Sequence, residues 1–91
     1  MPPPSPRTWL ITGADKGLGF ATAKTALERG DRVVVTVLAA DGGHPLAARH
    51  PGRCRSFHLD ARDLDAVPAV VAEAENAFGG IDVLVNTPVT A

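Results

Sequence analysis

Residues 12–19 read TGADKGLG and place three glycines between an apolar run and an alanine-rich segment. The run at residues 7–12 predicts a short strand covered on both faces, and residues 17–29 predict a helix with one apolar stripe. Glycine at a strand-to-helix turn lets the backbone bend sharply and lets an anion approach the N–H groups of the helix N-terminus. The stretch therefore predicts a phosphate-binding turn, and the alternative is a helix entry that binds no ligand.

The rest of the chain continues the alternation of strands and helices. Further strands are predicted at residues 32–38, 53–59 and 81–86, with one or two helical turns near residues 46–50 and a helix from residue 65 or 66 to residue 78. Pro68 sets the start of that last helix, because proline is tolerated only in a first turn. The order predicts an α/β fold, a doubly wound parallel sheet of about four strands in the order 3-2-1-4 with flanking helices. Residues 1–6 are expected to form a disordered proline-rich tail before a single truncated domain at residues 7–91.

Composition narrows the class of protein. The chain has 91 residues, 45% of them hydrophobic, and a net charge of −1 without a basic block, so we expect no nucleic-acid partner. No apolar run reaches the length of a membrane helix, and the single cysteine, Cys54, fits a reducing cytoplasm. We expect no metal site, because Cys54 and His58 are about 13 Å apart along a strand, and we expect His44 and His50 to be solvated.

The spacing of the glycines excludes two common nucleotide motifs. A Walker loop ends in GK[ST], whereas here Lys16 precedes Gly17 and Leu18 follows it. The fingerprint G-x-G-x-x-G/A, if it began at Gly17, would need glycine or alanine at Thr22. The turn therefore belongs to a third pattern.

Three motifs in order resemble those of the short-chain dehydrogenases/reductases. The pattern T-G-x-x-x-G-x-G of that family is matched by Thr12, Gly13, Gly17 and Gly19, and an aspartate after the third strand is matched by Asp60 in LDARD. The family segment at the fourth strand is matched by GGIDVLVN, which ends at Asn86. The resemblance implies a Rossmann fold that binds NAD(P) and hydride transfer between the cofactor and an alcohol or ketone.

The resemblance also implies a set of cofactor-binding residues and no metal. The implied set joins the glycine turn to the ends of the first, third and fourth strands: Thr12, Gly13, Asp15, Lys16, Gly17, Leu18, Gly19, Asp60 and Asn86. At the end of the second strand the family places an acid for NAD or an arginine for NADP, but this chain has Val37 and Leu38. Lys16 stands where members that prefer NADP often carry a base, so NADP is favoured over NAD.

The chain departs from the family pattern in ways that bear on activity. Residues 87–89 read TPV where the family has N-A-G, and the sequence contains no tyrosine, although family catalysis uses a serine and a Tyr-x-x-x-Lys pair. We expect no catalytic residue here, so that the chain is the inactive front portion of an oxidoreductase. The alternatives are a dinucleotide-binding module without catalysis and a subunit completed by another chain. The apolar fourth strand, IDVLV, is expected to leave an exposed edge through which chains associate.

Overall fold

The computed structural model describes residues 6–38, 41, 43–60 and 62–86. Within them strands and helices alternate along the chain as the sequence predicts: β1 (Thr8–Thr12), α1 (Gly17–Glu28), β2 (Arg32–Val37), α2 (Pro45–Arg49), β3 (Cys54–His58), α3 (Val67–Phe78) and β4 (Val83–Asn86). Most boundaries lie within one or two residues of the predicted ones. The first five residues of the expected tail and the departure at residues 87–89 lie outside the described residues.

The four strands form one parallel sheet in the order β3-β2-β1-β4, which confirms the predicted fold class. Leu10 in the central strand β1 is in register with Val34 of β2 on one side and with Leu84 of β4 on the other. Because all strands run in the same direction, their carboxyl ends meet at a single edge of the sheet. That edge is where open α/β sheets bind ligands.

One face of the sheet, which we name the closed face, is covered by α1 and α2. Alternate residues of β1 and β2 point to it and pack against both helices, and the fully or almost fully buried residues of this cluster are Ile11, Ala14, Ala23, Ala26, Leu27, Val33, Val35, Val37, Leu46 and Cys54. The end of α1 is closed by hydrogen bonds from the Gly30 and Asp31 N–H groups to the Leu27 and Ala26 carbonyls, with Gly30 at φ 93°. This is the glycine-terminated cap that helices commonly use.

The opposite face, which we name the open face, is covered by α3. Its buried cluster consists of Leu10, Val34 and Ala74, with Phe57, Val71, Ala77, Phe78 and Ile81 packed against it but only partly buried. Ala74 is the buried residue of α3. The side chain of Leu84 in β4 is 65% exposed. The open face of the sheet is therefore less completely covered than the closed face.

Local sequence signals mark both ends of α3. Pro68 lies in the first turn of α3, as predicted, and Gly79 ends that helix at φ 81°, a left-handed conformation that glycine adopts without strain. Each of the two longer helices has 12 residues. A bilayer span takes about 20 residues, and none of the described helices is long and apolar enough to cross a membrane.

Candidate functional site

The glycine turn connects β1 to α1 at the carboxyl edge of the sheet. Gly13 has φ 66° and Gly17 has φ 65°, both in the left-handed region that favours glycine. A Cβ atom added at Gly17 would meet no described heavy atom within 4 Å. At Gly17, then, backbone conformation rather than crowding requires glycine, and the space beside this residue is open to a ligand.

The turn is held against the end of β2 by hydrogen bonds from two of its backbone N–H groups. The Ala14 N–H donates to the Thr36 carbonyl at 3.2 Å, and the Gly13 N–H donates to the Thr36 hydroxyl at 3.4 Å. Thr36 and Ala14 are both buried. The inner half of the turn is therefore fixed by the buried end of β2, while its outer half remains exposed.

The N-terminus of α1 faces this open edge. Lys16 is the N-cap residue in an extended conformation, and its side chain makes no capping hydrogen bond. The first turn of α1 carries no acidic residue. The positive end of the helix dipole is thus available to an anion, and the exposed ammonium of Lys16 adds a charge of the same sign.

Thr12 and Asn86 meet at the carboxyl ends of the two neighbouring strands β1 and β4. The Thr12 hydroxyl donates to the Asn86 side-chain carbonyl at 2.6 Å, and the two residues are paired in the strand register. The parallel sheet therefore brings together two predicted site residues that are 74 positions apart.

Asp60 follows β3, on the far side of β2 from the glycine turn. Its carboxylate accepts hydrogen bonds from the Arg62 backbone N–H at 3.0 Å, from Nε at 3.0 Å and from a terminal guanidinium nitrogen at 2.8 Å. These bonds to Arg62 lower the pKa of Asp60 to about 2. The carboxylate is therefore ionised near neutral pH, and any ligand that donated to it would share it with Arg62.

The structure adds a carboxylate at the end of β2 that the strand sequence does not contain. Asp15, in the glycine turn, accepts a hydrogen bond from the Leu38 N–H at 2.9 Å. A carboxylate from another segment thus lies beside Leu38, although neither Val37 nor Leu38 is acidic. A strand-by-strand reading could not find this contact, because the two residues are 23 positions apart.

The expectation that His44 is solvated is wrong. His44 is only 7% exposed, and its ring stacks on Phe20 of α1 with ring centroids 5.2 Å apart. Nε2 lies 2.8 Å from the Ala14 carbonyl oxygen in the glycine turn, and Nδ1 accepts a hydrogen bond from the Leu46 N–H at 3.1 Å. A signal was present in the sequence, since His44 directly precedes Pro45, but it pointed only to the start of α2.

No group of three potential metal-ligating side chains converges in the part of the chain that the structure describes. Cys54 is buried in the closed face, and this burial raises the pKa of its thiol to about 11. A thiol with such a pKa is protonated and poorly reactive at neutral pH.

Comparison with known proteins agrees with this geometry. The sequence model of the family described as short chain dehydrogenase matches residues 7–88. Among curated proteins, the chain is 38% identical over 87 residues to an L-rhamnose 1-dehydrogenase (NAD(P)(+)) of Azotobacter vinelandii, with 88% of this chain and 34% of that protein covered. It is 31% identical over 77 residues to the 3-oxoacyl-[acyl-carrier-protein] reductase FabG of Vibrio cholerae, with 85% and 32% covered.

A solved structure gives the same picture. The chain superposes on a short-chain dehydrogenase from Streptomyces avermitilis with a TM-score of 0.81 and 35% sequence identity, covering 88% of this chain and 29% of that one. The chain thus spans about a third of the length of the relatives that it matches.

Proposed function

The chain belongs to the short-chain dehydrogenase family, as the N-terminal cofactor-binding portion of that fold, and on this premise we propose that its glycine turn binds the pyrophosphate of NADP. The observation that carries the proposal is the turn itself. Two left-handed glycines lie at the carboxyl edge of a parallel sheet, directly before a helix N-terminus that has no side-chain cap. The open space beside Gly17 fits the close approach of a phosphate group to the backbone.

The nine residues implied by the family motifs form the proposed binding surface. The seven of them within residues 12–19, which leave out the buried Ala14, would contact the pyrophosphate. Asp60 would accept from the adenine amino group, and Asn86 would lie under the nicotinamide side of the cofactor. The contact between Thr12 and Asn86 supports this arrangement, because it joins the turn to the end of β4. Bound NADP would supply the hydride-carrying nicotinamide, and the described residues would hold and orient the adenine half.

A substitution at Gly13 tests the site. In Gly13→Val a β-branched side chain must adopt φ 66° and stand where the pyrophosphate would lie, so NADPH affinity should be lost in a fluorescence titration. Gly30→Val is the matched control, since Gly30 has φ 93° at the other end of α1 and imposes similar strain away from the site. Equal NADPH binding by the Gly13→Val chain, with folding shown by circular dichroism, would exclude the turn as the site.

Asp60→Ala should weaken NADPH binding less than Gly13→Val does, by about 2–10-fold, because only one hydrogen bond to the cofactor is lost. Asp63→Ala is the control, since Asp63 is another exposed aspartate just after β3. An Asp60→Ala chain that binds NADPH as tightly as the unmodified chain would remove Asp60 from the site.

The preference for NADP rests on charge at the turn. Lys16 is exposed at the N-cap of α1, and the end of β2 carries neither the acid nor the arginine that the family uses there. The Asp15 carboxylate at the Leu38 N–H opposes this preference, because it would repel a 2′-phosphate. We propose that Lys16 outweighs it, since its ammonium can pair with the phosphate directly.

Lys16→Gln should therefore weaken NADPH binding by about 3–10-fold and leave NADH binding unchanged, with a smaller effect at high salt. Lys24→Gln, which removes the only other lysine of the chain from the exposed side of α1, should change neither affinity. Equal losses for NADH and NADPH in Lys16→Gln would show that Lys16 does not read the 2′-phosphate.

We further propose that these 91 residues by themselves transfer no hydride. The sequence contains no tyrosine, and its two lysines are Lys16 in the turn and Lys24 on α1, so the family's Tyr-x-x-x-Lys pair is not among them. General acid catalysis needs a donor within about 2.6–3.2 Å of the substrate oxygen. An NADPH consumption assay against a panel of alcohols and ketones should show no turnover, and steady turnover that disappears in Gly13→Val would overturn this.

The open edge of β4 favours a second function, that of a subunit associated with another polypeptide. β4 pairs with β1 on one side, and Leu84 is largely exposed. Such an apolar edge recruits other chains, either copies of itself or a complementary part of the family fold.

A cytoplasmic location is also proposed, because the one cysteine is a buried free thiol that suits a reducing compartment.

A further inference from the structure

We propose that His44 is a positioning residue that holds the glycine turn in its ligand-binding conformation. This proposal rests on the function proposed above, because the turn matters only if it binds the cofactor. His44 lies outside all the motifs that the sequence analysis assigned to the site. It contacts the turn from the connection that leads into α2, 30 positions further along the chain.

The two hydrogen bonds of His44 define which ring nitrogen carries the proton. The Leu46 N–H can only donate, so Nδ1 must accept, and the Ala14 carbonyl can only accept, so Nε2 must donate. A neutral imidazole with its proton on Nε2 satisfies both partners at once. The ring is buried, so water cannot readily replace either bond.

The bond to Ala14 fixes the part of the turn between the two left-handed glycines. The Ala14 N–H already donates to the Thr36 carbonyl, and the imidazole binds the Ala14 carbonyl, so both backbone polar groups of this residue are held. Because a trans peptide is planar, fixing the Ala14 carbonyl towards the buried imidazole directs the Asp15 N–H the opposite way, away from the core. His44 thereby orients a backbone donor of the turn without touching the ligand.

The ring also connects three elements. Its stacking on Phe20 reaches the first turn of α1, and its bond to the Leu46 N–H caps the first turn of α2. Movement of the glycine turn would therefore break contacts to both helices. This coupling is a reason to expect low mobility in the turn before any cofactor binds, which lowers the entropy cost of binding.

Two substitutions separate the bonds of the imidazole. In His44→Gln the side-chain amide can donate to the Ala14 carbonyl from a position close to that of Nε2, whereas in His44→Asn the shorter amide can accept only from the Leu46 N–H. NADPH affinity is expected to stay within about threefold in His44→Gln and to fall about tenfold in His44→Asn. His50→Asn is the matched control, since His50 is half-buried and contacts Arg53 instead of the turn.

Hydrogen exchange measured by mass spectrometry provides a readout that does not depend on the cofactor. In His44→Asn, exchange should accelerate in the peptide covering residues 12–20 and stay unchanged in β2, while His44→Gln should leave both unchanged. The proposal is overturned if His44→Asn leaves the turn's exchange unchanged, or if His44→Gln and His44→Asn weaken NADPH binding equally. If the unmodified chain binds no NADPH while the exchange pattern is as expected, the proposed function fails and the positioning role of His44 stands.

Discussion

The closed and open faces of the sheet are built from the same strands but covered to different degrees. On the closed face, α1 and α2 bury Leu27 and Leu46 almost completely, and the glycine turn is anchored to this core through Ala14. On the open face, α3 buries Ala74, while Leu84 remains 65% exposed. The comparison indicates that the turn depends on the better-packed half of the molecule, while the α3–β4 half leaves more apolar surface exposed.

The two edges of the sheet repeat this contrast. β3 presents polar side chains at its edge, including Arg55 and His58, which discourage pairing with another chain. β4 has the sequence VLVN, with three apolar residues in four positions. The apolar edge strand β4 therefore adjoins the open face, which α3 covers less completely.

The largest expected effect is the difference in the free energy of unfolding lost when a buried and an exposed leucine are each replaced by alanine. Leu27→Ala removes a side chain that is 1% exposed on the closed face, and it should lower the free energy of unfolding by about 2–5 kcal/mol. Leu84→Ala, on the open side, should change it by no more than about 0.5 kcal/mol. Urea denaturation followed by circular dichroism measures both, and equal losses would show that the two faces are equally packed.

Alkaline pH should weaken the closed face through Cys54. Burial raises the pKa of this thiol from 9.0 to about 11, so the unfolded chain loses its proton first as pH rises. Stability from this group is present below pH 9 and is lost between pH 9 and about 11, by about 3 kcal/mol. Cys54→Val should remove this part of the pH dependence in denaturation curves, and a chain without tyrosine has few other groups that titrate there.

A retained alkaline slope in Cys54→Val would assign the loss to other groups. As an independent check, iodoacetamide should modify the native thiol slowly at pH 7.5 and the urea-unfolded thiol rapidly. Rapid modification of the native chain would contradict the burial of Cys54.

Self-association should depend on the edge of β4. Leu84→Lys places a charge on this exposed strand and should raise the dissociation constant of self-association about tenfold in sedimentation velocity. Leu64→Lys is the matched control, because Leu64 is 76% exposed in the turn before α3 and lies outside the sheet. Equal effects of the two substitutions would point to general surface hydrophobicity instead of edge pairing.

The smallest expected effect concerns Trp9 and Asp31, which join β1 to the start of β2. Burial opposes ionisation of Asp31 and by itself would raise its pKa. Its carboxylate accepts hydrogen bonds from the Trp9 indole at 2.9 Å and from the Arg7 backbone N–H at 3.1 Å. These bonds and the nearby arginine charges outweigh the effect of burial, so the pKa of Asp31 lies below its ordinary value. Trp9→Phe keeps an aromatic ring but loses one bond and should cost about 1 kcal/mol at pH 7.

The pH dependence of that difference checks its cause. A lowered pKa contributes stability above the unfolded value of about 4, and this contribution is lost as pH falls through the folded value. The gap between Trp9→Phe and the unmodified chain should therefore narrow below pH 4 in urea denaturation. A gap that is constant from pH 7 to pH 3 would indicate lost packing of the indole instead of the lost hydrogen bond.

Local sequence determined the elements and their order. Strands β1 and β2 are continuous apolar runs, α1 has a stripe at helical spacing, and glycines or prolines mark the ends of α1 and α3, so each element could be predicted from residues close in the chain. The parallel order β3-β2-β1-β4 followed from the alternation of strands and helices. The glycine turn was identifiable for the same reason, because its signal lies within eight consecutive residues.

Tertiary structure decided the contacts between segments that are distant in the chain. The carboxylate of Asp15 at the Leu38 N–H, the imidazole of His44 at the Ala14 carbonyl and the exposure of Leu84 each depend on how α1, α2 and α3 pack on the sheet. The first two contacts join residues 23 and 30 positions apart, and no local pattern encodes them. The sequence therefore determined where the glycine turn lies, while packing decided which side chains hold that turn and which face of the sheet stays open.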